Sequence, residues 1–390
     1  MPAVFGTSAF QVSLETITAT NISEVTYVLD FAERHAREGS YVVLMLSYEA
    51  APAFDPALTT HKADDFPLAS AAVYPEPSDL PEIRSNVSSN PWLPAVAKHK
   101  YNQSLTRIHE LIAAGDTYQV NYSFPLTSSF NGDSLAWYHQ LCQRQTARYS
   151  AYLDLGRYRV LSLSPELFFE RRGNHVVTKP MKGTVQRGRD AAEDEALAQW
   201  LQNSEKNRAE NVMIVDLLRN DLGRVAVPGG VHVSSLFDLE QFETVWQMTS
   251  TVEATLREGT SLADLMGALF PCGSVTGAPK IRTMEIIREL ERFPRRAYTG
   301  TIGLLRPGGD CTFNVAIRTV ILDTETGVAT CSVGGGITID STAAEEYEEC
   351  LVKSLFLGTG RGGDGETGRR GDGETRGDGA MRKWGNADAD

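Results

Sequence analysis

No stretch of the sequence approaches the roughly 20 consecutive apolar residues that a bilayer-spanning helix requires. The longest apolar runs are of the size of Tyr41–Leu46, so no helical membrane span is expected. The opening Met1-Pro2-Ala3-Val4-Phe5 has neither a basic region nor a long apolar core, and no signal peptide is read there. Cysteine is scarce: Cys142, Cys272, Cys311, Cys331 and Cys350 are scattered without C-x-x-C spacing. That pattern predicts reduced thiols in a cytoplasmic protein and argues against a disulfide frame or a zinc site. Positive charge is short as well, with 37 Lys plus Arg against 50 Asp plus Glu and a formal charge of −13. Neither nucleic acid nor a membrane surface is expected as a partner, although a local pocket can still hold a small anion. P-loop and G-x-G-x-x-G fingerprints are missing, which leaves nucleotide binding unsupported. What is present suffices for a folded enzyme-sized chain: 390 residues, 42% apolar and 22% charged.

Prolines crowd the stretch 74–94 (Pro75, Pro77, Pro81, Pro91, Pro94), which predicts a surface connection and an internal boundary. Three regions result: 1–94, 95–357 and 358–390. The last holds eleven glycines and repeats Gly-Asp-Gly-Glu-Thr at 363–367 and 371–375, a composition that cannot bury a core and predicts disorder. Tyr101, Leu105, Ile108 and Ile112 form a helical stripe ending at Gly115. Residues 118–124 alternate as a strand with Gln119 and Asn121 on its polar face. Further strands are predicted near 41–46, 150–155, 158–163, 167–170, 175–179, 299–306, 311–321 and 327–333, and helices near 191–202, 208–221, 261–269, 280–291 and 343–357. Strands come in runs without regular βαβ alternation, so the class read from the pattern is α+β.

Four segments could carry chemistry. Lys182, in Lys179-Pro180-Met181-Lys182-Gly183-Thr184, is either a solvated loop lysine, the commoner case, or an amine nucleophile in a desolvating pocket. Glu210 stands early in a helix, where the macrodipole alone favours an acid. Glu346, Glu349 and Lys353 share one helical face. They make either a surface ion pair of roughly 0.3–0.5 kcal/mol or a carboxylate pair for a hard cation such as Mg²⁺ beside a lysine for an anion. Finally, Gly273-Ser274-Val275-Thr276-Gly277 before a helix, and Gly334-Gly335-Gly336 at a strand end, offer backbone N–H groups to anions. Each segment alone is weak.

Together, the motifs PMKGT (180–184), RAENVMIVDLLRNDLGRV (208–225), FPCGSVTGAPKIRTMEII (270–287), YTGTIG (298–303), FNVAIRT (313–319) and GGGITIDSTAAEEYEEC (334–350) resemble the chorismate-utilising enzymes. These include the anthranilate, aminodeoxychorismate, isochorismate and salicylate synthases. The likeness is strong over about 98–357 and looser through SYEAAPAFDP (47–56). It implies a four-layer α/β/β/α sandwich of two antiparallel sheets, with residues 1–94 packing on the same sandwich and 95–357 binding chorismate. It also implies Mg²⁺ at Glu210 and Glu349 with Glu346 adjoining, and substrate contacts from Tyr298, Arg318, Lys353, Gly334 and Gly336. Thr276 and Gly277 would line the ring, and Glu166 would be the general acid that protonates the departing C4 hydroxyl.

Three positions bear on the branch. Lys182 matches the aminodeoxychorismate synthases, where anthranilate synthases usually carry alanine. Gln119 stands where the water-adding branches have a lysine base, and an amide cannot be that base. Gln247 replaces a histidine that many relatives carry and that is associated with pyruvate elimination. The resemblance therefore implies amination of chorismate by the synthase component of an aminodeoxychorismate synthase, with Lys182 as covalent nucleophile. No cysteine sits in a glycine-flanked nucleophile elbow, so ammonia is expected from a separate glutamine amidotransferase. The alternatives are anthranilate synthase component I and a non-catalytic chorismate-binding regulatory homologue.

Overall fold

The computed structural model describes residues 1–358 except 80–86, 88, 146 and 243–244. The expectation of disorder for the glycine-rich tail falls, from residue 359 on, outside the described residues. In chain order the first third comprises β1 (Ala3–Phe5), β2 (Ser8–Phe10), β3 (Glu15–Ala19), α1 (Val25–Arg37), β4 (Tyr41–Leu46), β5 (Ala69–Tyr74), β6 (Leu93–Pro94), α2 (Lys98–Ala113), β7 (Gln119–Ser129) and α3 (Ser134–Arg144). There follow β8 (Ala151–Leu155), β9 (Tyr158–Ser162), β10 (Leu167–Arg172), β11 (His175–Lys179), β12 (Met181–Gln186), α4 (Ala191–Asn203), α5 (Glu205–Gly223), β13 (Ala226–Gln241) and β14 (Val245–Leu256). The chain closes with α6 (Leu262–Leu269), β15 (Gly277–Ala278), α7 (Lys280–Leu290), β16 (Thr301–Leu305), β17 (Cys311–Val315), β18 (Thr319–Asp323), β19 (Val328–Ile337) and α8 (Ala343–Lys353). No helix among the described residues is long and apolar enough to cross a membrane.

The strands form two antiparallel sheets. One runs β15-β7-β19-β18-β9-β8-β1-β2, with β6 also on β7; the other runs β12-β14-β11-β10-β17-β16-β4-β5-β3, with β13 on β14. Both are covered, which explains the apolar run in β4. Val42, Leu44 and Leu46 join the core under α1, α5 and α6, while Val43 and Met45 join the core between the sheets. With period 2, a strand buried on both faces must be apolar throughout. On the far side, α2, α3, α7 and α8 pack on the nine-stranded sheet through Tyr101, Leu105, Trp137, Ile287 and Tyr347. The architecture is the expected four-layer sandwich, and β1, β3, β4 and β5 are strands of its two sheets.

Helix starts follow local capping. Asp133, Asp190, Ser204 and Thr342 accept first-turn N–H groups of α3, α4, α5 and α8, and Ser261 with Asp264 forms a reciprocal box on α6.

Three departures from the sequence reading matter for the site. The single strand predicted over 311–321 is two, broken at Ala316-Ile317-Arg318, where Arg318 takes φ +50 and the chain passes from the ten-stranded to the nine-stranded sheet. The strand predicted over 327–333 extends further: β19 takes in Gly334–Gly336 as its last residues before Ile337, paired with β7 throughout. The face of β7 that carries Gln119 and Asn121, read as its polar face, is buried.

Candidate active site

The site opens where two chain crossings leave the nine-stranded sheet. β9 leaves through Leu163-Ser164-Pro165-Glu166 to become β10, and β17 enters through Ala316-Ile317-Arg318 to become β18. The crossings are tied together. The Leu163 N–H donates to the Arg318 carbonyl (3.0 Å), the Val315 N–H to the Glu166 carbonyl (3.1 Å), and the Ser164 hydroxyl to the Val315 carbonyl (2.6 Å). Since β18 pairs with β19 only over 328–331, the glycines of β19 have no strand beside them on that edge among the described residues. Lys353 Nζ donates to the Gly334 carbonyl there (2.9 Å). A strand residue points its N–H and C=O to the same side, so the Gly334 and Gly336 N–H groups line that open edge.

Glu166 is 5% exposed, and its Oε1 accepts from the Ser274 hydroxyl at 2.7 Å. Burial pushes its carboxyl up to about 7, against the Ser274 hydrogen bond and the charges of Lys182 and Arg318. Lys182 makes no hydrogen bond or ion pair with another described residue. Desolvation lowers its pKa, and Lys353 adds to that, while Glu210, Glu166 and Glu349 oppose it. Arg318 is likewise unpaired among the described residues; desolvation lowers its pKa and Glu166 opposes.

Gln119 and Gly336 show how tightly the lining converges. A Cβ on Gly336 would collide with Gln119 Nε2 and lie 3.2 Å from Lys182 Nζ. Gln119 is fully buried, yet neither atom of its amide has a partner among the described residues. Leaving both unmet costs roughly 1–3 kcal/mol per group.

On the outer side of β19, a Cβ on Gly335 would meet Glu346 Oε2 at 3.0 Å and Lys353 Nζ at 3.6 Å. Lys353 pairs with Glu349 (2.7 Å), and Glu346 accepts from Ser341 (2.6 Å). Desolvation opposes the charge on all three. Glu346, which also feels Glu349, has a raised pKa; Glu349 is held below its ordinary value mainly by Lys353; and Lys353 is held above its own mainly by Glu349. Glu210 faces Lys182 electrostatically from α5. Among the described residues no three acidic, histidine or cysteine side chains stand close enough to hold a metal unaided. The donors are all carboxylate oxygens. A hard cation taking one or two of them, completed by water and a ligand, fits this set.

Tyr298 contacts the Ser123 hydroxyl (3.3 Å) and senses Lys353. Thr276 and Gly277 brace β7: the Thr276 carbonyl accepts from the Asn121 N–H (2.8 Å), and Gly277 pairs with Val120. The Thr276 hydroxyl bonds to the Cys272 and Gly273 carbonyls, and a Cβ on Gly277 would run into the Gln119 carbonyl.

Sequence reasoning missed the buried support for these groups. β15 and β6 flank β7 at 119–120 and 126–127, and between them no strand among the described residues pairs with that edge. Glu291 and Arg295 fill the gap. Glu291 accepts from the Ser123 N–H (2.8 Å), while Arg295 clasps Glu291 and donates to the Asn121 and Val275 carbonyls. Glu49, from the N-terminal SYEAAP segment, accepts the Arg295 and Arg296 N–H groups (2.8 Å each). The i, i+4 spacing of Glu291 and Arg295 was the available signal, but it is the ordinary mark of a surface helix pair. Ser274, too, gave no hint of its bond to Glu166.

Comparison with known proteins agrees with this geometry. A family model described as chorismate binding enzyme matches residues 74–357. Aminodeoxychorismate synthase component 1 of Klebsiella aerogenes is 42% identical over 278 residues, 71% of this chain and 61% of that protein. Anthranilate synthase component 1 of Thermus thermophilus is 40% identical over 261 residues, 67% of this chain and 56% of that protein. The chain thus spans about six-tenths of the length of the curated relatives it matches. The crystal structure of anthranilate synthase component I from Streptococcus pneumoniae TIGR4 superposes with a TM-score of 0.78 at 26% identity, covering 92% of each chain. From the matched span, the sandwich and the converging residues, this chain belongs to the chorismate binding enzyme family.

Proposed function

We propose that the chain is the synthase component of an aminodeoxychorismate synthase, converting chorismate and ammonia to 4-amino-4-deoxychorismate for para-aminobenzoate and folate synthesis. The observation that carries this reading is that Glu166 and Lys182 stand close enough to act on each other's charge, with Lys182 and Gln119 converging at Gly336. The acid is held protonated up to about pH 7, and the amine is eased toward its neutral form. A double displacement needs both at once. Glu166 donates its proton to the C4 hydroxyl, which leaves as water, while the Lys182 lone pair forms a bond to C2 and both ring double bonds shift one place toward C4. Ammonia then bonds to C4, both double bonds shift back, the C2–N bond breaks to release the Lys182 amine, and a proton shed by the new C4 ammonium restores Glu166.

Arg318, Tyr298, Lys353 and the Gly334 and Gly336 N–H groups receive the substrate carboxylates, and the Gln119 amide meets the substrate or the incoming amine. Glu210 and Glu349, with Glu346 adjoining, would hold Mg²⁺, whose charge would offset a substrate carboxylate. Ammonia comes from a glutamine amidotransferase subunit. Burial pushes the Cys272, Cys311, Cys331 and Cys350 thiols up to about 12, the opposite of what a glutaminase nucleophile needs. Five free thiols also suit the reducing cytoplasm.

The test is mass spectrometry of the protein incubated with chorismate and Mg²⁺. Without amine, an adduct should appear on Lys182. With ammonium, the product should be 4-aminated with its enolpyruvyl group intact. The Thermus thermophilus relative keeps anthranilate synthesis as a second reading, and stoichiometric pyruvate release by the protein alone would establish it instead.

A further inference from the structure

Gln247, which the reaction above leaves without a task, lies on β14 directly opposite Thr184 of β12. Between the pairs Met181↔Thr249 and Thr184↔Gln247 the register slips, so Lys182 and Gly183 together face the single residue Met248. Such a bulge bends the strand and re-aims a side chain, and it leaves backbone groups without ladder partners. Gly183 takes φ +88, and a Cβ on it would lie 3.1 Å from Asn207, so the residue after Lys182 has to be glycine.

Both sides of the bulge are fastened. The Ser250 N–H donates to the Pro180 carbonyl at 3.2 Å, before Lys182. After it, Gln247 Nε2 donates to the Gly183 carbonyl at 2.8 Å, while Gln247 Oε1 accepts from the Thr184 hydroxyl at 2.8 Å. The Lys182 ammonium itself has no hydrogen-bond partner among the described residues to fix its place, so its aim depends on the backbone beneath it. We propose that Gln247 is a positioning residue for Lys182: its amide clamps the bulge that points this lysine at the substrate. The proposal rests on Lys182 being the nucleophile and deepens that reading.

An amide is the side chain the clamp calls for, because one end must donate and the other accept. Gln247→Glu keeps the size and the acceptor for Thr184 but turns the donor into a carboxylate oxygen facing a carbonyl. Gln247→Ala removes both contacts, and Thr184→Val removes one. Losing a hydrogen bond worth about 1 kcal/mol predicts adduct formation slowed roughly fivefold in Gln247→Glu and Gln247→Ala and less in Thr184→Val. Chorismate affinity should stay within about twofold, since none of these side chains is placed against the substrate.

Adduct growth is read by quenched intact-mass measurement, affinity by calorimetry with chorismate, and the clamp itself by hydrogen exchange over 181–186 in the free protein. Slower adduct growth with faster exchange and unchanged affinity is the expected result. Wild-type adduct rates in Gln247→Glu and Gln247→Ala overturn the proposal, as does a loss of affinity that accounts for the whole effect. The two readings fail differently. If unsubstituted protein forms no adduct, Lys182 is not the nucleophile and the positioning role falls with it; if adduct forms but the exchange is unaltered in Gln247→Ala, only the clamp is refuted.

Discussion

Near β4 and β9 the space between the sheets is filled by Phe10, Val43, Met45, Phe66, Leu153, Val160 and Ile302, all buried and interlocked. Toward β7 and β19 the same space holds Glu166, Lys182, Gln119 and Arg318; burial opposes charge there, and the Gln119 amide lacks partners among the described residues. The first end has regular strands, with β4, β5 and β16 pairing without a slip. The second is assembled from irregularities: the bulge at Lys182, the two sheet crossings, and a strand of glycines with a bare edge. Apolar packing contributes about 1.5–3 kcal/mol per large side chain, while unpaired polar groups are a cost. One end stabilises the sandwich so that the other can hold groups in states they would not choose in water.

Substitutions can set the two ends against each other. The largest effect is expected for Lys182→Ala, which should reduce amination to background and abolish the adduct while the protein melts no lower than wild type. Normal turnover in this variant would remove the polar end's chemical distinction.

Glu166→Gln should follow, with a loss of ~10²–10⁴-fold. In the unsubstituted protein, activity should fall above about pH 7 as Glu166 ionises, and fall again at low pH as Lys182 becomes protonated. Folding raises the Glu166 pKa from its ordinary 4.5 to about 7, so its contribution to stability is full below 4.5 and lost as pH rises to 7. Glutamine cannot ionise. The melting temperature of the variant relative to wild type should therefore rise across that interval, and a flat difference would place the stabilised proton elsewhere.

Next is Arg295→Met, which leaves Glu291 buried without its partner. Urea unfolding should show a loss of ~3–5 kcal/mol. A loss below 1 kcal/mol would mean the bare edge of β7 is not held by this pair. The smallest effect belongs to the dry end. Ile302→Val should cost ~0.5–1.5 kcal/mol and leave kcat/KM unchanged; a clear fall in kcat/KM would show that the two ends are mechanically coupled.

Much of this was legible in advance where periodicity was strong. The stripe on α2, the apolar β4 and the helices α4 to α8 came from spacing alone, and the PMKGT, RAEN and EEYEEC motifs pointed to Lys182, Glu210 and Glu349, which do converge electrostatically. Illegible were the places where tertiary context overrides local pattern. The segment 311–321 reads as one strand because most of its residues are apolar or β-branched; only the sheet crossing explains the break at Arg318. The hairpin β13–β14 went unread because its alternation is interrupted by register shifts at 226–231 and 233–238. Arg295 was invisible as a support because its partners are spread along the chain, at 49, 121, 275, 291 and 299.

The antiparallel pairing of β4 with β16 has a consequence for how the protein is made. Residues 42–46 leave the ribosome long before residues 301–305, against which they lie. At ~5–20 residues per second the interval is roughly 10–50 s, during which one edge of an entirely apolar strand has no partner. Glu49 likewise waits for the backbone of Arg295 and Arg296. Pairings this distant in sequence make folding slow and expose sticky edges to neighbouring chains. Yield in cells should therefore respond to growth temperature and to chaperone supply more than to any single substitution at the site.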